Sequence, residues 1–332
     1  MTEPKRILVI RRDNIGDLVC TTPLLAALRT RFPESRLGVL ANSYNAPVLA
    51  DNPDIDDLHV YRKLKHLGAQ GGVLTALGQR LSMLWALRRR RLDLVVVAAG
   101  IQDERGARLA KLLHPCEILF SDKPTPGQHE VARTFSAARQ LGITSPIPPV
   151  RVVADQANVA RARKKIARES PGPPCKLVGL HISARRVAQR WPAERFADFA
   201  IALQEGLGAA TMLFWSPGET DDAQHPGDDR KAKAIQDLVA GKARLIPWRT
   251  TELGALMGGL EACDAVVCSD GGAMHIAAGL GKRIACFFGD SDVARWRPWG
   301  VPHRVLQATS GRVEDIETKD ALDATAQLLG RV

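Results

Sequence analysis

Long apolar runs are missing from this chain of 332 residues, and aromatic residues make up only 5% of it. A membrane-spanning helix needs about 20 consecutive apolar residues, and no run in the sequence approaches that length. The N-terminal stretch MTEPKRILVIRRD places only the apolar run ILVI between its charged residues, which is too short for the core of a signal peptide. We therefore expect a cytoplasmic protein.

Cysteines are few, and their spacing contains no known motif. There is no CxxC pair and no cysteine–histidine spacing typical of a zinc site. Three of the six lie in or beside apolar runs, which favours buried, reduced thiols over disulfides or a metal centre. The sequence predicts neither a resident metal nor a cofactor. The six are Cys20, Cys116, Cys175, Cys263, Cys268 and Cys286.

Positive charge is in excess, with a net charge of +10. Such a surface attracts anions, among them nucleic acids, acidic lipids and phosphorylated substrates. Residues 80–91, RLSMLWALRRRR, end in four consecutive arginines. This run fits a solvated helix end that is favoured by the helix dipole, or a patch for a membrane surface or an anionic substrate. No nucleic-acid-binding motif accompanies it, so we expect no nucleic-acid partner.

Short apolar segments alternate with segments of helical spacing along the chain. Continuous apolar strands between helices are typical of a parallel sheet covered on both faces. The alternation stops at TSPIPPVRVV, where three prolines fall within four positions, and then starts again. The sequence therefore predicts two doubly wound α/β halves joined by a hinge. A ligand cleft is expected between them, at the carboxyl ends of the strands.

The stretch CDAVVCSDGGAMHIAAGLGKRIACFFGD contains the clearest candidate ligand site. Asp270 follows an apolar strand, Gly271 and Gly272 form a turn, and His275 lies in the helix that follows. A glycine turn lets the backbone approach a ligand, and the start of a helix offers unpaired N–H groups to a phosphate. The stretch has neither GxGxxG nor a P-loop lysine. The alternative is structural: Asp270 caps the helix and His275 packs on a strand.

The first strand is followed by a similar turn, RRDNIGDLVCTTP. Asp17 stands there after a glycine, where a carboxylate could act as a general base. Capping of the helix is the structural alternative, and Asp13 competes with Asp17 for either role.

Two further strand ends in the second half carry polar residues. HISARRVAQRWP contains Arg185, Arg186 and Arg190, whose charge suits a diphosphate unless they are simply solvated. FWSPGETDD places Glu219 after the next strand, a usual position for a carboxylate that binds ribose hydroxyls.

Taken together, these motifs resemble the heptosyltransferases of glycosyltransferase family 9. The matching segments occur in the family's order and cover nearly the whole chain: RRDNIGDLVCTTPLLAALR, HEVARTFSAARQLGI, RWPAERFADFA, SPGE and CDAVVCSDGGAMHIAAGLGKRIACFFGDSD. The resemblance implies a GT-B fold of two Rossmann-like domains. Residues 1–150 would bind the acceptor, residues 151–315 would bind the nucleotide sugar, and the helix within 316–332 would pack back on the first domain.

The resemblance also implies a reaction and its partners. A heptose would pass from ADP-heptose to the lipopolysaccharide inner core, an anionic lipid A and core oligosaccharide acceptor, by an inverting and metal-independent route. The enzyme would work in the cytoplasm, with a contact to the inner face of the inner membrane. The acceptor loops, about residues 43–75, show no pattern that names a particular sugar.

Site residues follow from the resemblance position by position. Asp17 matches the proposed base, Glu219 the ribose-binding carboxylate, and Ser183 a small hydroxyl residue near the phosphates. Gln189 departs from the family, which often has a lysine two residues before Trp-Pro, so Arg186 or Arg190 is expected to supply that charge. The donor-binding turn is matched by Asp270, Gly271, Gly272 and His275.

Other classes of function remain open on the sequence alone. Two Asp-x-Asp triplets, at 54–56 and 290–292, are the pattern of a metal-dependent sugar transferase. A different nucleotide sugar, a nucleotide-binding protein without transfer activity, and a dinucleotide-dependent oxidoreductase are the alternatives. The oxidoreductase would require GxGxxG after the first strand, where the chain has none.

Overall fold

The computed structural model describes residues 3–61, 73–170, 175–218 and 227–330. The chain divides into two compact units, Met1–Val152 and Val153–Val332. The division falls at the end of TSPIPPVRVV, two residues after the predicted boundary between residues 150 and 151. Within the described residues, no helix is both long enough and apolar enough to cross a membrane.

The first unit is built on a five-stranded parallel sheet. Its strands are β1 (Arg6–Ile10), β2 (Arg36–Asn42), β3 (Asp57–Tyr61), β4 (Leu94–Val97) and β5 (Glu117–Phe120). They lie in the order β3–β2–β1–β4–β5, and every neighbouring pair is parallel. Apart from the exposed Arg6, the residues of the central strands β1 and β4 are buried, which explains their continuous apolar sequences.

Helices connect these strands. They are α1 (Ile15–Val19), α2 (Thr22–Arg31), α3 (Val73–Arg89), α4 (Glu104–Leu112) and α5 (Glu130–Gln140), with a 3-10 turn at Ala46–Leu49. The turn after β1 contains a separate short helix, α1, that the sequence pattern did not predict. Helix α5 ends before Gly142, whose φ of +74° belongs to the left-handed region that favours glycine after a helix.

The second unit has a six-stranded parallel sheet. Its strands are β6 (Leu177–His181), β7 (Ala210–Trp215), β8 (Leu245–Arg249), β9 (Ala265–Ser269), β10 (Arg283–Phe288) and β11 (His303–Gln307). Their order is β11–β10–β9–β6–β7–β8. Strand β11 was not predicted, because it is an edge strand of exposed and half-buried residues and no continuous apolar run marks it.

The helices of the second unit complete the doubly wound arrangement. They are α6 (Gln156–Glu169), α7 (Ala193–Leu207), α8 (Asp229–Val239), α9 (Leu253–Glu261), α10 (Gly272–Gly279), α11 (Val293–Trp296) and α12 (Thr318–Leu328), with 3-10 turns at Val187–Gln189 and Val313–Asp315.

Helix α12 belongs to the core of the second unit. It packs on α7 and on strands β9 to β11, and its buried residues Ala321, Ala324 and Leu328 join the core around Trp191. The indole Nε1 of Trp191 donates a hydrogen bond of 2.9 Å to the carbonyl of Ile316, just before this helix. Helix α12 thus packs against elements of its own unit, and the packing of residues 316–332 on the first domain, which the resemblance implies, stays a prediction.

Candidate functional site

The candidate residues lie where the strand order reverses in each sheet. In the first unit this point is between β1 and β4, and in the second it is between β6 and β9. Neighbouring connections leave to opposite faces of the sheet there, which opens a crevice at the carboxyl ends of the strands. Asp13 and Asp17 follow β1, Ser183 follows β6, and Asp270 follows β9. Each sequence-predicted turn therefore occupies the ligand-binding position of its own sheet.

Arg11 is the centre of the polar cluster in the first unit. Its side chain is only 2% exposed. The guanidinium donates to the carbonyl of Ala98 at the end of β4 (2.8 Å) and pairs with Asp17 (2.6 Å) and Asp13 (3.1 Å). Arg11 thus brings together the two carboxylates that the sequence predicts as candidate bases.

A third carboxylate reaches Arg11 from far along the chain. Glu130, at the start of α5, is completely buried and lies 2.8 Å from the Arg11 guanidinium. It also forms an ion pair with the buried Arg133, which in turn donates to the carbonyls of Ala99 and Asp122. Burial opposes ionisation of Glu130, but the two arginines hold its pKa at about 2. Sequence analysis missed these charges, and the only signal was the spacing of Glu130 and Arg133 within HEVAR.

Asp17 is held firmly by this cluster. Its Oδ1 accepts from Arg11, and its Oδ2 accepts from the backbone N and the side-chain amide of Asn14 at 3.1 and 3.0 Å. The side chain is 12% exposed. Asp17 therefore both closes the first turn of α1, as the structural alternative predicts, and presents a fixed carboxylate next to a buried cation.

Asp13 is the more accessible of the two candidates. Its side chain is 35% exposed, and Arg11 contacts it through Oδ2. Burial raises the pKa of Asp13, and the neighbouring Asp17 raises it further, while Arg11 opposes the change. A carboxylate with a raised pKa is a stronger base, so the structure leaves Asp13 as a real competitor.

In the second unit, Asp270 is tied to Gln189. The side-chain amide of Gln189 donates to Asp270 at 3.1 Å and to the hydroxyl of Ser291 at 2.9 Å. The backbone carbonyl of Gln189 accepts a hydrogen bond of 2.7 Å from the hydroxyl of Ser269. Burial raises the pKa of the Asp270 carboxyl, and Ser291, Arg186 and Gln189 counteract it. Gln189 is itself buried. Its amide therefore positions the carboxylate and does not stand free as a phosphate ligand.

The turn after Asp270 leads directly into helix α10. Gly271 is its N-cap and Gly272 its first residue, so no side chain is available at the N-cap to bond the first N–H groups. A Cβ built at Gly271 would meet no described atom within 4 Å. The start of α10 thus combines unpaired N–H groups with open space, which is a suitable geometry for a phosphate.

His275 lies one turn inside α10 and is buried. Its ring meets the ring of Trp296 edge-on, with 6.0 Å between their centres. This edge-on packing against α11 suits a residue that orients the turn.

The remaining predicted donor residues are spread along the loops after β6 and β7. The Ser183 hydroxyl accepts a hydrogen bond of 2.9 Å from the backbone N of Ser216, which joins these two loops. Glu219 lies outside the described residues. Arg186 is exposed and faces Asp290 at 3.4 Å, while the Nε of Arg190 donates to the carbonyl of Ala184 at 2.9 Å. Arg186 and Arg190 therefore have separate protein partners.

Lys231 on α8 is a cation that the sequence did not single out. Its ammonium lies 3.2 Å from the carbonyl of Ile182 at the end of β6 and 4.9 Å from the centre of the Phe196 ring. Burial lowers its pKa to about 8, and the charge of Arg190 adds to this effect while Asp228 opposes it. Its segment, DDRKAKAIQ, reads as an ordinary polar helix, so only the fold shows where this amine lies.

A cavity of about 260 Å³ in the first unit lies elsewhere. Its lining includes Arg6, Arg36 and Asp57, the first residues of β1, β2 and β3. It therefore opens at the amino ends of the strands, and none of the predicted site residues lines it.

The two Asp-x-Asp triplets have local partners. Asp56 pairs with Arg29 at 2.5 Å and accepts from the backbone N of Leu37. Asp292 accepts from the backbone N of Arg295 as the N-cap of α11. In the described part of the chain, no three His, Cys, Asp or Glu residues are grouped closely enough to hold a metal ion.

Comparison with known proteins identifies a family. The model of glycosyltransferase family 9 (heptosyltransferase) matches residues 95–325. The chain is 25% identical over 333 residues to lipopolysaccharide heptosyltransferase 3 of Escherichia coli K12, covering 95% of this chain and 90% of the relative.

Solved structures share the fold over almost the full length. A glycosyl transferase family 9 structure from Veillonella parvula has a TM-score of 0.80 at 22% identity, covering 98% of this chain and 97% of the other. The structure of the E. coli heptosyltransferase WaaC with ADP has a TM-score of 0.76 at 18% identity, and the match covers 97% of this chain and 99% of the other. The structure of WaaC with ADP-2-deoxy-2-fluoro heptose has a TM-score of 0.71 at 19% identity, and the match covers 98% of this chain and 99% of the other. The two Rossmann-like units are thus those of a GT-B fold.

Proposed function

Because the chain belongs to glycosyltransferase family 9, the heptosyltransferases, we infer that it transfers a heptose from ADP-heptose to a sugar of the lipopolysaccharide inner core. The observation that carries this proposal is the start of α10, where Gly271 adjoins open space and the first N–H groups of the helix lack an N-cap side chain. An ADP diphosphate suits such a position. The named relatives, one of them solved with ADP and with a heptose analogue of the donor, support the choice of donor.

The reaction is a single displacement at the anomeric carbon. The acceptor hydroxyl attacks this carbon and gives its proton to a carboxylate of the first unit, while the bond to the diphosphate breaks and its electron pair leaves with ADP. One displacement inverts the anomeric centre. Asp17 is the proposed base because it matches the family's Gly-Asp carboxylate and because Arg11 and Asn14 fix its orientation. Asp13 is the alternative base, favoured by its exposure and its raised pKa.

Positive charge must meet the leaving ADP. With a neutral amide at Gln189, this charge is assigned to the helix start at Gly272 and to Arg190 and Lys231 near the end of β6. Ser183 supports the same loops through Ser216. Glu219 remains the proposed ligand of the ribose hydroxyls.

No divalent metal is assigned to the reaction. The carboxylates of both triplets have protein partners: Asp56 has Arg29, Asp290 has Arg186, and Asp292 caps α11. The site supplies its own cations for the diphosphate. The enzyme is proposed to act at the cytoplasmic face of the inner membrane, where it meets an acceptor that is anchored in lipid.

Release of ADP from ADP-heptose, measured with and without a core oligosaccharide acceptor, tests the transfer. We expect release that depends on the acceptor, and a loss of roughly 10²–10⁴ in kcat for Asp17→Asn with ADP binding nearly unchanged. Normal turnover of Asp17→Asn with loss in Asp13→Asn would assign the base to Asp13. If the wild-type chain binds ADP but never releases it from ADP-heptose, it is a nucleotide-binding protein or uses another nucleotide sugar.

A further inference from the structure

One face of helix α3 is both apolar and basic. Leu81 and Trp85 lie one turn apart on it and are 58% and 61% exposed. Arg88 and Arg89 follow on the next turn of the same face, and both are exposed. The Arg89 guanidinium lies 4.4 Å from the centre of the Trp85 ring. Two large apolar side chains are therefore presented to solvent beside arginines. We call Leu81, Trp85, Arg88 and Arg89 the outer face of α3.

The opposite face of the helix explains why the outer face cannot simply turn inward. Leu87 is 1% exposed and belongs to the core cluster with the side chains of β1 and β4, and the half-buried Met83 and Leu84 pack against that cluster. Arg90 turns toward the sheet and pairs with Asp57 at 2.5 Å. These contacts fix the rotation of the helix, so Leu81 and Trp85 stay outside the core of the unit.

Within the described part of the chain, the charge of the outer face has no carboxylate partner. Among the described residues, no carboxylate forms an ion pair with Arg88 or Arg89, nor with Arg91 just beyond the helix, whereas Arg90 between them is paired. A partner for this surface must therefore supply negative charge. It must also accept an indole and a leucine side chain. Trp is favoured at the boundary between lipid headgroups and acyl chains, and arginines next to it bind lipid phosphates.

We propose that the outer face of α3 docks the protein on an anionic phospholipid bilayer. Leu81 and Trp85 enter the headgroup region, and Arg88 and Arg89 contact phosphates. A second copy of this chain fits less well, since two such faces would bring four arginines together without an acid. With two apolar residues and a few charges, the binding is reversible and sensitive to salt. This inference rests on the proposed function in one respect: a lipid-anchored acceptor gives the enzyme a reason to meet a bilayer.

Sedimentation of the full chain with vesicles tests the proposal. Wild type should bind phosphatidylglycerol vesicles, bind phosphatidylcholine vesicles poorly, and dissociate from the former as salt increases. The double variant Leu81→Ser/Arg88→Glu should bind phosphatidylglycerol at least ~10-fold more weakly. The matched control is Lys111→Glu/Leu112→Ser on α4, which alters an exposed lysine and a leucine that is 56% exposed. The control should bind like wild type.

Trp85 gives a second readout that does not depend on the double variant. The fluorescence difference between wild type and Trp85→Phe isolates this indole, and it should shift to the blue on phosphatidylglycerol vesicles. Equal vesicle binding by the double variant and wild type overturns the proposal, as does an equal loss in the control. The proposal also fails if the wild type does not bind vesicles and sedimentation velocity shows a dimer for the wild type but a monomer for the double variant.

Transfer to a soluble oligosaccharide acceptor separates this inference from the proposed function. The double variant should retain that activity, because its changes lie far from the carboxyl ends of the strands. If neither it nor wild type transfers heptose while vesicle binding behaves as expected, the function is wrong and the docking surface stands.

Discussion

Replacing Lys231 with methionine is the sharpest perturbation of the donor site. Methionine keeps an apolar stem next to Phe196 and removes only the amine, which lies 3.2 Å from the carbonyl of Ile182. Burial lowers the pKa of Lys231 to about 8, so at pH 8 about half of the protein carries a neutral amine there. A bound diphosphate in contact with this amine favours its charged form and raises the pKa again.

The size and sign of the effect follow from this pKa of about 8. Binding of ADP at pH 8 should take up about half a proton, because the bound state holds a proton that half of the free molecules lack. Above pH 8 the affinity for ADP should fall by up to about tenfold per pH unit, and below about pH 7 this dependence should vanish. The second ionisation of a phosphate group, with a pKa near 6, lies outside the window.

Calorimetric titration with ADP at pH 8, in Tris and in Hepes, measures the proton uptake through the different ionisation enthalpies of the two buffers. Lys231→Met should abolish the uptake and weaken ADP binding by about 10–100-fold, the usual loss for a hydrogen bond to a charged group. Lys233→Met is the control, because Lys233 is on the same helix, 72% exposed and paired with Asp237. Binding without proton uptake in wild type, together with normal affinity in Lys231→Met, would refute the reasoning.

Three further outcomes are expected. Gly271→Ala should fold normally, since its Cβ would meet no described atom within 4 Å, but should raise the Kd for ADP in calorimetry; unchanged affinity would place the diphosphate elsewhere. Glu130→Gln should lower the free energy of unfolding by about 3–5 kcal/mol in denaturant titrations, because it removes the carboxylate that pairs with the buried Arg133 and one of the three that pair with Arg11. Transfer activity should survive EDTA, and loss that magnesium restores would show that a metal is required.

Glu130 should also make the free energy of unfolding depend on pH, and the same denaturant titrations can check the direction of this dependence. Its folded-state pKa is about 2, below the usual value of about 4.3. The stability from its ion pairs is therefore complete above that usual value and is lost as the pH falls toward 2. Glu130→Gln should lack this part of the acid dependence, and an identical acid profile in both proteins would contradict the account.

The order of strands and helices could be read from the sequence because it depends on local patterns. Buried parallel strands such as LVVV in β4 are continuous apolar runs, and glycines mark the turns that follow them. The edge strand β11 was missed because half-exposed residues give no such run. The positions of Asp17 and Asp270 were also predictable, since parallel strands place their carboxyl ends at one edge of a sheet.

The partners of those residues were not predictable from one sequence. Arg11 and Glu130 are separated by 119 positions, and Gln189 and Asp270 by 81. Neither arginines nor glutamates are expected in a core unless they are paired, and a single sequence does not indicate which pairs form. Lys231 was unpredictable for the same reason, because its lowered pKa comes from burial, next to Ile182 just after β6 and Phe196 on α7.

Gln189 bears both on the environment of Asp270 and on the source of positive charge at the proposed donor site. A lysine at this position would place a charge beside Asp270, whereas the amide at Gln189 donates to that carboxylate and to Ser291 without adding charge. Burial raises the pKa of Asp270, and Ser291, Arg186 and Gln189 oppose that rise. The positive charge that the leaving group needs must come from elsewhere in the unit. We propose that Lys231 supplies this charge: burial lowers its pKa to about 8, and a diphosphate bound next to the amine would favour its protonated form, so that binding of the donor would itself complete the charge of the site.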